Sequence, residues 1–114
     1  VDPCSLVVFS DAFDVLYTGP PDDMVETFHA IGAPFVFSAE CGCWPFVGRP
    51  NGREICTERF PAKSTLYRYH NTGAWMAYAF AAQDFVRRLV RGRTIREVGT
   101  ANDQELAGDM ILDG

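Results

Sequence analysis

An α/β chain built on a parallel sheet is the fold class that three observations predict. Residues 5–9 (Ser5, Leu6, Val7, Val8, Phe9) form a short apolar run. Met24, Val25, Phe28 and Ile31 then recur along one stripe of a helix, and Phe35, Val36 and Phe37 form a second apolar run. A strand whose residues are all apolar is one buried on both faces, as in a parallel sheet. Strand, helix and strand within about thirty residues make a βαβ unit, which implies a right-handed crossover.

Each further element has its own signal. Pro20, Pro21, Asp22 and Asp23 give a breaker followed by a helix start, and Gly32 and Pro34 give its end. From residue 41 to 64 the periodicity disappears. Three prolines, three glycines and three of the four cysteines fall there, so an irregular loop is expected, of the length that is functional, disulfide-stapled or disordered. Residues 74–78 (Ala74, Trp75, Met76, Ala77, Tyr78) read as a third strand. Phe85, Val86, Leu89 and Val90 read as the inner stripe of a helix whose last turn carries Arg87, Arg88 and Arg91 and which Gly92 stops. A final helix is expected from Asn102 and Asp103, with Leu106, Met110 and Ile111 facing inward. No repeat or low-complexity stretch interrupts the pattern.

Composition limits the function. The 114 residues are 47% hydrophobic and 22% charged, a globular balance that fits one domain or part of a larger one. Ten basic against fifteen acidic residues give −5, which repels phosphate backbones and argues against nonspecific nucleic-acid binding. No apolar run approaches the ~20 residues of a membrane span. With no Met at position 1 and no signal peptide, the chain reads as a mature or excised piece. Cys41 and Cys43 are too close to pair with each other, so a disulfide would join one of them to Cys56. Free buried thiols are the alternative, and the spacing suits zinc poorly. A disulfide would imply an oxidising compartment.

The chemistry gathers where strands end, as ligands do in open α/β sheets. Asp11 and Asp14 leave the first strand three residues apart. Two carboxylates aimed at one point repel unless a cation lies between them. Mg²⁺ and Mn²⁺ take one or two carboxylates and complete their shell with phosphate oxygens and water. That suits metal-assisted departure of a nucleotide diphosphate. Phe13 between them offers a face on which a base can stack. The ordinary alternative is a pair of turn-forming aspartates. A haloacid-dehalogenase-type phosphatase also opens on a strand ending in Asp, but it places the second Asp two residues on, where Phe13 stands here. Glu40 follows the second strand and shares the aspartates' end of the sheet, or else serves as a salt-bridge or capping residue. Trp44 could stack on a sugar ring or anchor its loop. Asn71 suits a sugar or phosphate, Gly73 permits close backbone approach, and Asp103 could cap the last helix. His29 and His70 stand without partners at ligand spacing and read as structural.

In order along the chain, the Asp11–Asp14 motif is followed by Val36, Phe37, Ser38, Ala39 and Glu40, then by Cys43, Trp44 and Pro45. Asn71, Thr72 and Gly73 come next, and Asn102, Asp103 and Gln104 close the series. The series resembles the glycosyltransferase domain of the procollagen lysyl hydroxylases, from about residue 6 to 113. The resemblance implies a GT-A-like, Rossmann-like twisted and mainly parallel sheet flanked by helices. It also implies that residues 1–114 are part of a single glycosyltransferase domain, incomplete at both ends, with a Cys-containing insertion over about 41–65. Asp11 and Asp14 would bind Mn²⁺ (or Mg²⁺) with the diphosphate of a UDP-sugar. Phe13, Asp11 and Trp44 would hold the nucleotide sugar, and Asp103, Glu40 and Asn71 would serve catalysis. UDP-glucose or UDP-galactose would be the donor and a hydroxylysine-linked group on a collagen-like or glycosylated polypeptide the acceptor, in the endoplasmic reticulum lumen or the secretory pathway. A third metal ligand, a histidine, is expected beyond residue 114. The chain departs from the family pattern at Phe13, where Tyr is usual, at Thr100, Ala101 and Asn102, where an acidic run is usual, and over residues 46–66, where Cys56 is its own.

Overall fold

The structure, a computed structural model, describes residues 1–60 and 64–113. Strand β1 (Leu6–Ser10) is followed by helix α1 (Pro21–Ile31) and strand β2 (Phe35–Glu40), as the sequence pattern predicts. Pro21 opens α1 and Asp22 and Asp23 lie in its first turn, where carboxylates meet the positive end of the helix dipole. Gly32 closes it at φ 71°, its N–H bonded to the Phe28 carbonyl, a left-handed cap that glycine adopts without strain.

The third strand corrects the expected topology. Strand β3 (Tyr69–Tyr78) lies between the other two and is antiparallel to both, in the order β1-β3-β2. β1 and β2 do run the same way with α1 between them in sequence, yet they do not pair with each other. Their facing edges are both taken by β3, whose ten residues pair with Leu6 to Ser10 on one side and with Phe35 to Glu40 on the other. Among the described residues the sheet is therefore antiparallel, and β1 is an edge strand. Val8 and Phe9 are 43% and 40% exposed, not buried on both faces as the apolar run implies.

The pairing sorts side chains into two rows. Val8, Met76 and Val36 share one face, and Phe9, Trp75 and Phe37 the other. On the first face Phe28 of α1 is buried, with its ring edge-on to Tyr78 at 5.3 Å; removing a Phe from water is worth about 1.5–3 kcal/mol. On the second, helix α3 (Ala79–Val90) sets Phe85 against Phe35, Phe37 and Trp75, with centroids 4.9, 5.5 and 6.1 Å away. The inner face of α3 is Ala82, Phe85 and Leu89; Val86 and Val90 point out, contrary to the expected stripe. α3 follows β3 without a side-chain cap, and the carbonyls of Pro3 and Ser5 accept its first free N–H groups.

The segment expected to be an irregular loop is the principal core instead. It forms a 3₁₀ turn (Phe46–Gly48), a one-turn helix α2 (Gly52–Glu54) and a π-turn (Ile55–Arg59). Phe46, Ile55, Cys56, Phe60 and Tyr69 bury themselves together, with Cys43 and Leu112 against them. Residues 61–63 of that stretch lie outside the described residues. Cys43 and Cys56 form the disulfide, and Cys41 is a free, exposed thiol.

Two short helices complete the chain. Helix α4 (Ile95–Thr100) begins with a capping box between Thr94 and Glu97, a Thr-x-x-Glu signal present in the sequence but not read there. Helix α5 (Asp103–Asp113) packs on the core through Gln104, Ala107 and Gly108. Ile111 is 45% exposed and Leu106 and Met110 are only half-buried, because the inward arc is set by Gly108. A Cβ there would overlap the Phe46 ring and come within 2.6 Å of His70 Cε1. No helix among the described residues is long and apolar enough to cross a membrane.

Candidate functional site

Because β3 runs against its neighbours, its start lies at the same end of the sheet as the ends of β1 and β2. That end holds Asp11, Glu40 and Asn71. A bulge builds the site there. Phe37 pairs with Trp75 while Ser38 pairs with Asn71, so Thr72, Gly73 and Ala74 are extra residues opposite β2. The strand bows toward β1, and the Asp11 N–H bonds to the Gly73 carbonyl at 2.7 Å. Bulges of this kind re-aim side chains beside functional sites. Asn71 Oδ1 accepts the Gly73 N–H at 2.7 Å, and the Ser38 hydroxyl donates to the Asn71 carbonyl at 3.0 Å. Gly73 leaves room for a carboxylate: an added Cβ would lie 2.8 Å from both Asp11 Oδ2 and Asn71 Oδ1.

A cleft of about 460 Å³ opens over this bulge, lined by Asp11, Asp14, Trp44, Asn71, Gly73 and Asp103 among others. Five of the seven candidate residues thus share one wall-to-wall space. The other two do not line it. Phe13 is fully exposed and stands outside the cleft in this conformation. Glu40 is half-buried and engaged by a neighbour. Gln104 Nε2 donates to Glu40 Oε1 at 2.5 Å and to the Trp44 carbonyl at 2.9 Å.

Gln104 is the residue whose part sequence reasoning missed. It is buried, and its own carbonyl accepts from His70 Nε2 at 2.7 Å, which assigns the ring proton to Nε2. Through its side-chain amide Gln104 holds Glu40 and Trp44, and through its backbone carbonyl it holds His70. His70 is structural, as expected: its ring stacks on Phe60. His29 shares a hydrogen bond with the Tyr78 hydroxyl, at 3.4 Å, and its ring lies edge-on to Phe28. The residue that caps α5 is Asn102, whose Oδ1 accepts the Glu105 N–H at 3.0 Å. Asp103, expected to cap, is left free to face the cleft.

Arg49 clamps the far side of the site. It pairs bidentately with Asp109, also binds Glu105, and lies 4.6 Å over the Phe46 ring. Its hydrogen bonds to Asp109 first and Glu105 second raise its pKa well above the ordinary arginine value. The clamp fastens α5, and with it Asp103, to the disulfide-bonded segment. A larger groove of about 670 Å³ lies beneath α1, but its walls are mainly carbon, from Met24, Phe28, Val36 and Met76. Convergent polar groups occur only in the smaller cleft of these two, and it is the better site on chemical grounds.

The cleft is polar and edged by the carboxylates of Asp11, Asp14 and Asp103 at one end of the sheet, a donor set suited to a hard cation and to hydrogen-bonding groups. A family model described as the PLOD GT domain matches residues 2–104, and the chain belongs to that family. It is 30% identical over 83 residues to the human multifunctional procollagen lysine hydroxylase and glycosyltransferase, covering 73% of this chain and 10% of that protein. To the procollagen-lysine,2-oxoglutarate 5-dioxygenase of Drosophila melanogaster it is 31% identical over 78 residues, covering 68% and 10%. An uncharacterised protein of Acanthamoeba polyphaga mimivirus is 28% identical over 90 residues, covering 77% and 18%. The chain spans about a tenth of the length of the first two.

Proposed function

We propose that this chain is part of a metal-dependent glycosyltransferase domain with a GT-A-like fold, which transfers glucose or galactose from a UDP-sugar to a hydroxylysine-linked acceptor on a collagen-like polypeptide. The observation that carries the reading is the gathering of Asp11, Asp14, Trp44, Asn71 and Asp103 on one cleft, in a chain that belongs to the family of that domain.

The residues present fit a hard divalent cation. Two carboxylates face one space, and Gly73 keeps the flank of Asp11 clear. Among the described residues no three His, Cys, Asp or Glu side chains gather closely enough to form a metal shell alone. The remaining positions fall to diphosphate oxygens and water, the usual arrangement for Mg²⁺ and Mn²⁺. The bound ion would neutralise the charge of the departing diphosphate. Trp44 offers a face for the sugar ring, Asn71 a donor and acceptor for its hydroxyls, and Asp103 a carboxylate across the cleft. Phe13 keeps a stacking face for the base and would have to turn in from solvent to use it. The Cys43–Cys56 disulfide suits an oxidising compartment such as the secretory pathway.

The test is sugar release from UDP-glucose by the full-length protein with Mn²⁺. Asp11→Ala/Asp14→Ala should lower it about a hundredfold or more. An undiminished rate in that variant would remove the metal assignment. Nucleotide binding without product would leave a glycan- or nucleotide-binding module, and phosphate release from an aryl phosphate with none from UDP-glucose would point to the phosphatase.

A further inference from the structure

Ten consecutive residues, 87–96, hold five of the chain's ten basic residues and no acid. All five are arginine. The rest of the chain has five basic against fifteen acidic residues, a net of −10. The five lie along the end of α3 and the start of α4. Arg87 and Arg88 lie in the last turn of α3, and Arg91 follows it. Gly92 then reverses the chain at φ 73°, and Arg93 and Arg96 flank the start of α4. All are exposed.

Internal partners account for little of this charge. Arg88 pairs with Asp84 at 2.9 Å, with both side chains more than half exposed, a contact of small worth. Arg93 donates to the Leu89 carbonyl. Among the described residues Arg87, Arg91 and Arg96 have no carboxylate within ion-pair distance. The dipole of α3 favours Arg87, Arg88 and Arg91 at its C-terminal end, but Arg96 sits in the first turn of α4, where a cation opposes the dipole. Apolar side chains are set among these charges: Val86 and Val90 one turn apart on α3, 47% and 39% exposed, and Ile95, 94% exposed.

We propose that the corner made by the end of α3 and the start of α4 is a docking surface for an acidic polypeptide segment. Carboxylates of the segment would pair with the arginine forks, and its apolar side chains would cover Val86, Val90 and Ile95. Arginine presents a planar fork matched to carboxylate, and it is enriched at protein interfaces where lysine is depleted. A sulfated glycan would meet the charge and leave the three apolar side chains wet. The corner shares no residue with the cleft, so the inference stands apart from the transferase reading.

The test uses a labelled synthetic peptide repeating Glu, Glu, Leu, titrated with the full chain by fluorescence anisotropy. Its Gln, Gln, Leu counterpart, heparin and phosphatidylserine vesicles are run beside it. Binding to the acidic peptide should weaken with salt. It should fall by about tenfold or more in Arg87→Gln/Arg91→Gln/Arg96→Gln, and also fall in Ile95→Ser, an exposed position that leaves the core untouched. No binding, equal binding of the neutral peptide, or undiminished binding by both variants would overturn the proposal. So would tighter capture by heparin or vesicles than by the peptide.

Discussion

Gly73 shows how one missing Cβ shapes the cleft. The atom would stand 2.8 Å from Asp11 Oδ2 and from Asn71 Oδ1, so Gly73→Ala must displace two of the proposed ligand-binding side chains while leaving the strand pairing intact. Both obstacles are the ends of rotatable side chains, so the thermal midpoint should move little. Calorimetry should show affinity for UDP with Mn²⁺ reduced about tenfold, or 1.4 kcal/mol, and unchanged affinity would mean that Asp11 is not a ligand in this rotamer. The sequence made Gly73, Asn71, Asp11 and Asp14 legible because each residue type has few reasons to occur together at a strand end. It did not reveal Gln104, since an amide carries no charge or spacing signature and its role arises only when three distant segments meet around it. Nor could it show Phe13 outside the cleft, because an aromatic beside two carboxylates reads the same whichever way its ring turns.

At the scale of elements, two stabilising devices are open to direct measurement. The Cys43–Cys56 bond closes a loop of sequence separation 13, and its removal by Cys56→Ser should cost about 3 kcal/mol of folding free energy, read from denaturant unfolding. Because Trp44 follows Cys43, the same change should broaden the Trp44 indole signal in NMR spectra; an unaltered midpoint would assign the core's order to packing alone. In α4, the Glu97 carboxylate accepts from the Thr94 N–H and hydroxyl at 2.7 and 2.8 Å, and the backbone bond first, the hydroxyl second, hold its pKa below the usual glutamate range. A depressed folded-state pKa means the cap stabilises α4 above the ordinary glutamate pKa and is lost as pH falls through the lowered value. The Thr94 amide shift should therefore titrate below the normal glutamate midpoint, and Glu97→Gln should abolish that titration. The helix ends and both short strands were legible from Gly32, Gly92 and the apolar runs. The core formed by Phe46, Ile55 and Phe60 was not, because their contacts follow no period and depend on the disulfide and on α5.

For the whole molecule, the sequence indicated α/β layering, and the family match over residues 2–104 is compatible with part of a glycosyltransferase domain. Strand direction was hidden, because apolar runs flanking a helix look alike whether their neighbour is each other or a third strand arriving from beyond a long insertion. The antiparallel β3 is nonetheless what brings Asn71 beside Asp11, so the feature that sequence patterning missed is the one that assembles the cleft. The central claim is that this cleft holds a divalent cation with a nucleoside diphosphate through Asp11 and Asp14. Adding trace Mn²⁺ with UDP to the isotopically labelled chain tests it most directly, through paramagnetic broadening of backbone amide signals. Broadening should centre on Asp11, Asp14 and Gly73 and disappear in Asp11→Asn/Asp14→Asn. Broadening that survives in that variant, or that centres instead on the acidic start of α1 at Asp22 and Asp23, would contradict that claim.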